Sequence, residues 1–145
     1  MLVNGVWQEN WQPVQSEDAE GRFIRQTSSF RNWITPDGEP GVTGKGGFKA
    51  EAGRYQLYVA YICPWGSRVL MALQIKRLTG GISVSVVNPR LTEQGWQFGG
   101  YAGCSEDDQL AAQYLHQIYS HADANFTGRA TLPVLWDKRT RTIVN

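Results

Sequence analysis

The sequence predicts an α/β domain behind an irregular N-terminal arm. Three observations predict it. Tyr55-Gln-Leu-Tyr-Val59 alternates like a strand, and Cys63-Pro64 follows with an apolar run of helical period. The strand-like runs Gly81–Val87 and Gly128–Asp137 flank a second helical pattern, giving the order β-α-β-α-β-β. Residues 1–54 lack a sustained period and are broken by glycine and proline. The division is therefore an arm, 1–54, and an α/β domain, 55–145.

Composition narrows the function classes. The 145 residues fit one folding unit of ordinary globular make-up. Net charge is +1 and the basic residues are dispersed, so there is no nucleic-acid footprint. No stretch approaches a membrane span. The first ten residues lack the basic and apolar regions of a secretory signal. The two cysteines have unlike surroundings and suggest no disulfide framework, so the expected location is the reducing cytoplasm.

In the arm, Val3–Trp7 reads as a short strand with Trp11 beside it, and Gly21–Arg25 alternates weakly. Phe30, Trp33 and Phe48 favour an arm that packs, because disordered segments are poor in aromatics. Gly44-Lys45-Gly46-Gly47 lacks the spacing and hydroxyl residue of a phosphate loop.

The first strand runs into Cys63, which takes the N-cap position, with Pro64 at N1, where its missing N–H costs nothing. Val69, Leu70, Ala72, Leu73, Ile75 and Leu78 give the helix a wide apolar face, and Gly80-Gly81 closes it. Unpaired N–H groups and the positive end of the helix dipole favour the thiolate of a cysteine so placed. Arg68, one turn on, adds positive charge nearby. The second thiol of a Cys-x-x-Cys motif is absent, because that place is Gly66. A lone thiol forms a mixed disulfide but does not resolve it internally. The resolving thiol must come from outside or from Cys104, and an outside thiol makes this a glutathione-type site. The acidic neighbours Glu106, Asp107 and Asp108 are expected to raise the pKa of Cys104 and slow its reaction.

Asn88-Pro89 ends the second strand, and a glycine-rich loop of about twenty residues follows, a length usually functional or mobile. Within it Trp96 stands among Gly95, Gly99 and Gly100 and either covers the core or meets a ligand. Ser105–Asp108 resembles a capping box for a helix carrying Leu110, Tyr114, Leu115, Ile118, Tyr119 and Ala122. His116 and His121 do not share a face, so they read as packing or surface residues and no metal site is expected. Pro133 stands near the start of the third strand, where a strand tolerates it. Arg139 and Thr140 turn the chain into a fourth strand, Thr142–Asn145.

This order, with a reactive cysteine after the first strand and a proline opening the third, is the thioredoxin plan. That likeness implies a cis Leu132–Pro133 bond. The chain also resembles the N-terminal part of the glutathionyl-hydroquinone reductases, the Xi class of glutathione transferases. The matching residues are Phe30-Arg-Asn-Trp33, Gly46-Gly-Phe48, Cys63-Pro-Trp65, Ser83–Pro89, Gly95-Trp96, His121-Ala-Asp123, Gly128-Arg129, Leu132–Asp137 and Thr142-Ile-Val144. The resemblance implies Cys63 as nucleophile, and Trp96, Arg129, Ala130, Thr131 and Leu132 as the glutathione-holding residues. Leu132 would offer its backbone to the cysteinyl part of glutathione. It implies glutathione as co-substrate, glutathionyl-hydroquinones as substrates, no metal, and a homodimer for the full-length protein.

Two departures stand against that pattern. Family members commonly carry Ala-His after Cys-Pro-Trp, where this chain has Gly66-Ser67. The family also continues past the fourth strand, with a Glu-Ser pair opening a last helix and then an all-α domain. A sheet face lacking that helix is expected to be an exposed apolar patch. Two other readings are a non-catalytic thioredoxin-like module that binds glutathione or a partner, and a monothiol glutaredoxin-like enzyme. The long aromatic arm counts against the latter.

Overall fold

The computed structural model describes residues 1–9, 19–22 and 27–145. Trp11 and residues 23–25 of the Gly21–Arg25 run lie outside the described residues.

The elements are β1 (Leu2–Val3), β2 (Val6–Trp7), β3 (Tyr55–Val59), α1 (Pro64–Ile75), β4 (Ile82–Val86), α2 (Leu115–Ala122), β5 (Val134–Asp137) and β6 (Thr142–Ile143). The main sheet has the order β4-β3-β5-β6. β3 pairs parallel with β4, in the register Leu57↔Val84, and antiparallel with β5. β5 and β6 form an antiparallel hairpin. α1 is the crossover that a parallel pair requires.

Every residue of β3 is buried, so the strand is wetted on neither face. Leu57 and Val59 face α1, packing with Leu73, Val86, Val69 and Leu70. Tyr58 faces α2, in the main core with Leu115, Ile118, Val134 and Trp136. α1 presents a narrower stripe than its composition suggested. Gly66, Val69, Leu70 and Leu73 follow the i, i+3, i+4, i+7 rule and meet the sheet or lie beneath the helix. Met71, Ile75 and Leu78 lie off that stripe and are exposed, Ile75 by 79%.

The helix also ends before Gly80-Gly81. Arg77 takes the left-handed conformation (φ 55°) just after the cap. Its N–H donates to the Gln74 carbonyl (3.0 Å) and that of Leu78 to Leu73 (2.9 Å), the paired bonds of a Schellman close. The two glycines belong to the turn into β4, where Gly81 accepts from Gly53 (2.7 Å).

α2 begins at Leu115 with Tyr114 as its cap, nine residues after the expected cap at Ser105. Asp107 is the reason. Its buried carboxylate accepts from the Tyr58 hydroxyl (2.8 Å) and from the N–H groups of Leu110 and Ala112 (3.0 Å each), wrapping the segment into a turn. Ala111, at φ 53°, then prevents a helix from passing through. Gln117 starts the helix by accepting the N–H of Gln113 (2.7 Å) and Tyr114 (2.9 Å). The glycine-rich loop before it is ordered by a Thr92–Gly95 turn and by Phe98, which is buried in the main core.

The single strand expected over Val3–Trp7 is two strands joined by Asn4-Gly5, both at positive φ, a hairpin signal in the sequence itself. Leu2 is 0% exposed and belongs to the main core. Phe30 packs against that core, and Phe48 packs with Tyr55 and Val144. Trp33, expected to pack like them, is half exposed; its indole donates to Thr43 (2.9 Å) and lies over Gly41, where a Cβ would come within 2.5 Å. At the far end of the sheet the Arg54 guanidinium makes a two-pronged bond to Asp137 (Nε–Oδ1 2.9 Å, Nη2–Oδ2 2.6 Å). Leu132–Pro133 is cis, as the thioredoxin likeness implied.

Candidate active site

Cys63 caps α1 with extended backbone (φ −88°, ψ 117°) and Pro64 follows at the first helical position. Its N–H closes a turn onto Ala60 (3.0 Å), and its carbonyl accepts the first intrahelical bond, from Ser67 (3.1 Å). The side chain is half-buried and free of any disulfide. It makes no bond to the helix, so the sulfur remains available. Across from it stands the segment before β5, with Cys63 Sγ 4.0 Å from the Leu132 carbonyl oxygen. Arg68 lies with its guanidinium over the exposed Trp65 ring, 4.8 Å from the centroid. Gly66 is buried beneath the helix, where a Cβ would stand 3.1 Å from the Ala60 carbonyl oxygen.

The residues proposed to hold glutathione are placed unequally. Leu132 is beside the sulfur, with its side chain in the main core. Trp96 and Ala130 are partly buried against the same core cluster as Cys63. Trp96 thus covers the core, and its carbonyl accepts from Leu115 (2.9 Å). Arg129 and Thr131 are exposed, and the Arg129 charge acts on the Met1 amino group. Thr131 is held by a residue that sequence reading took only as one more helix-face position. The Tyr119 hydroxyl donates to the Thr131 carbonyl (2.9 Å) and accepts from the Thr131 N–H (3.3 Å). Burial pushes that hydroxyl up, and the Thr131 bonds only partly offset the effect, so it stays protonated and able to donate. The signal available was general: a tyrosine on a buried face needs a partner for its hydroxyl.

Cys104 is apart from this arrangement. Its thiol donates to the Val87 carbonyl (3.3 Å), and burial raises its pKa. The direction is the expected one, but the cause is burial, not the acidic neighbours. Asp107 is turned inward to Tyr58 and the backbone. His116 is buried between Trp7 and Tyr114, with stacked ring centroids at 4.6 and 5.6 Å. His121 is exposed beside Trp136. Among the described residues no group of three or more His, Cys, Asp or Glu is placed to hold a metal ion. No helix among them is long and apolar enough to cross a membrane. An open groove of about 520 Å³ lies between α1 and β4, lined by Tyr61, Met71, Ile75 and Val84 among others. It contains none of the predicted site residues and marks exposed apolar surface rather than the chemistry.

A cysteine capping a helix opposite a cis-proline segment is an arrangement for thiol exchange, and the family model for the glutathione S-transferase N-terminal domain matches residues 62–145. The chain belongs to the glutathione S-transferase N-terminal domain family. Within that family it is 48% identical over 145 residues to the glutathionyl-hydroquinone reductase YqjG of Escherichia coli (strain K12), covering 99% of this chain and 44% of the relative. It is 39% identical over 145 residues to the glutathionyl-hydroquinone reductase PcpF of Sphingobium chlorophenolicum, covering 100% of this chain and 42% of the relative. The glutathione-bound structure of YqjG superposes with a TM-score of 0.84 at 44% identity, over 100% of this chain and 41% of that one. The Xi-class transferase of Natrialba magadii gives a TM-score of 0.80 at 41% identity, over 100% and 40%. The chain therefore spans less than half the length of the curated relatives it matches. The transferase-domain fold explains why the cysteine, the cis-proline segment and the aromatic loop gather at one end of the sheet.

Proposed function

We propose that this chain supplies the thiol half of an enzyme that removes glutathione from glutathionyl-hydroquinones. The observation carrying the proposal is Cys63 at the cap of α1, half-buried, with the Leu132 backbone beside its sulfur and glycine where a resolving thiol would stand. Two relatives bearing that activity in their names support it.

The Cys63 thiolate attacks the glutathione sulfur of the substrate. A sulfur–sulfur bond forms, the bond from sulfur to the ring carbon breaks, and that carbon takes the electron pair and a proton to give the hydroquinone. A second glutathione thiolate then attacks the mixed disulfide, releasing oxidised glutathione and the Cys63 thiolate. Leu132 pairs its backbone with the cysteinyl part of glutathione, and Trp96, Arg129, Ala130 and Thr131 hold the rest. The exposed Trp65 and Ile62 next to Cys63 provide apolar surface beside the leaving ring. The protein works in the reducing cytoplasm, where free cysteines and reduced glutathione coexist. A homodimer is proposed for the longer protein.

Intact-mass spectrometry after mixing with a glutathionyl-hydroquinone tests this. One glutathione is expected on the wild-type chain and none on Cys63→Ser. Equal labelling of the two proteins removes Cys63 as nucleophile. A stoichiometric adduct that added glutathione does not resolve, with no more than one hydroquinone released per chain, would favour a module without turnover.

A further inference from the structure

The backbone beside Cys63 is not held by its own strand. β5 begins at Val134, so Thr131, Leu132 and Pro133 run outside the sheet's ladder. Among the described residues no backbone group bonds the N–H or carbonyl of Leu132. Thr131, next to it, has both its backbone N–H and its carbonyl engaged by the one hydroxyl of Tyr119. The Tyr119 ring is fixed in turn. It is 7% exposed, packs edge-on against Phe30 of the arm (5.9 Å) and lies 5.0 Å from Phe126. α2 packs on the other face of the sheet from the body of α1, but Cys63 at the α1 cap and Tyr119 of α2 both meet the main core cluster.

We infer that Tyr119 is a positioning residue for glutathione, its hydroxyl clamping Thr131 so that the Leu132 backbone, whose carbonyl meets the Cys63 thiol and which no backbone group bonds among the described residues, is presented beside the Cys63 sulfur. This rests on the reading that glutathione binds along Leu132. The Thr131 N–H is spent on Tyr119, which leaves this residue no backbone donor for a ligand. The clamp therefore directs the ligand's backbone-type bonds to Leu132, one residue on. It also ties the arm to the chemistry, because Phe30 supports the ring that carries the hydroxyl.

The test compares two reactions of Cys63 in the 145-residue chain, with the modified residue located by peptide mass mapping. Glutathione disulfide reports recognition, and iodoacetamide reports the bare thiol. Tyr119→Phe keeps the ring and removes only the hydroxyl. The expected result is a loss of about fivefold to tenfold in the rate with glutathione disulfide, the size set by one or two hydrogen bonds. The iodoacetamide rate and thermal stability should stay near wild type. Faster hydrogen exchange at the Thr131 amide, with the α2 amides unchanged, is the accompanying local signature. An unchanged glutathione disulfide rate, or an equal fall in both reactions, overturns the inference. If the wild-type chain reacts with 2-hydroxyethyl disulfide as fast as with glutathione disulfide, glutathione recognition itself fails, and the clamp with it. A wild-type preference for glutathione that survives in Tyr119→Phe sinks the clamp alone.

Discussion

At the scale of single residues, the strongest electrostatic commitment lies away from the thiol. Asp137 is 0% exposed and receives Arg54, the Thr140 hydroxyl (2.6 Å) and the Arg139 N–H (3.0 Å). Burial alone would raise its carboxyl, but these bonds and the Arg54 charge outweigh it and hold the pKa below the usual value. Because the folded pKa is the lower one, the contribution to stability is present above the unfolded value and is lost as pH falls through the folded value. The urea midpoint is therefore expected to drop in acid, below about pH 4. Asp137→Asn, which leaves the buried Arg54 charge with only the half-exposed Glu51 (3.7 Å) and the Gly47 carbonyl (2.6 Å), is expected to cost about 3 kcal/mol at pH 7 and to flatten that acid loss. A midpoint equal to wild type at neutral pH would show that the pair contributes nothing.

At the scale of elements, His116 of α2 is wedged between Trp7 of β2 and Tyr114, its Nε2 3.2 Å from Gln94 Oε1. Burial, and secondarily the N-terminal charge, lower its pKa. Here the neutral form is favoured in the fold, so stability is full above the unfolded value, near 6.5, and falls as pH drops below it. His116→Gln should abolish the part of that slope between pH 7 and 5, measured by thermal unfolding; an unaltered slope would assign it elsewhere. The same helix shows where the sequence was legible. Its apolar period over Leu115, Ile118 and Tyr119 reads directly, and so does the Cys63-Pro64 start of α1. The α2 start did not read. Asp107 looks the same whether it caps a helix or is drawn into the core by Tyr58, and that choice is made by a contact 49 residues away in the chain. The Leu132–Cys63 approach and the Tyr119 clamp are hidden for the same reason. Their partners come from separate elements, and neither leaves a local pattern.

At the scale of the whole molecule, the arm is part of the core. Leu2 packs among Tyr58, Leu115 and Trp136 and forms a bridge with Gly128. Leu2→Ala is expected to cost about 2–5 kcal/mol, whereas Leu91→Ala, at an exposed site, should stay within about 0.5 kcal/mol. Denaturant titration of the two variants decides it, and equal small losses would place the hairpin outside the cooperative unit. The hairpin's bonds are long in sequence: Leu2 with Gly128 in both directions, at 3.0 Å each, and Gly5 with Phe126 at 2.9 Å. This has a consequence for synthesis. The hairpin is made more than a hundred positions before residues 126–128, so its bonds are of high contact order and close only after that stretch of chain exists. Until then Leu2 and Trp7 travel as exposed apolar side chains. Leu2, Leu132 and the partly buried Cys63 meet in one core cluster, so the hairpin's docking and the completion of the thiol site depend on the same stretch of chain.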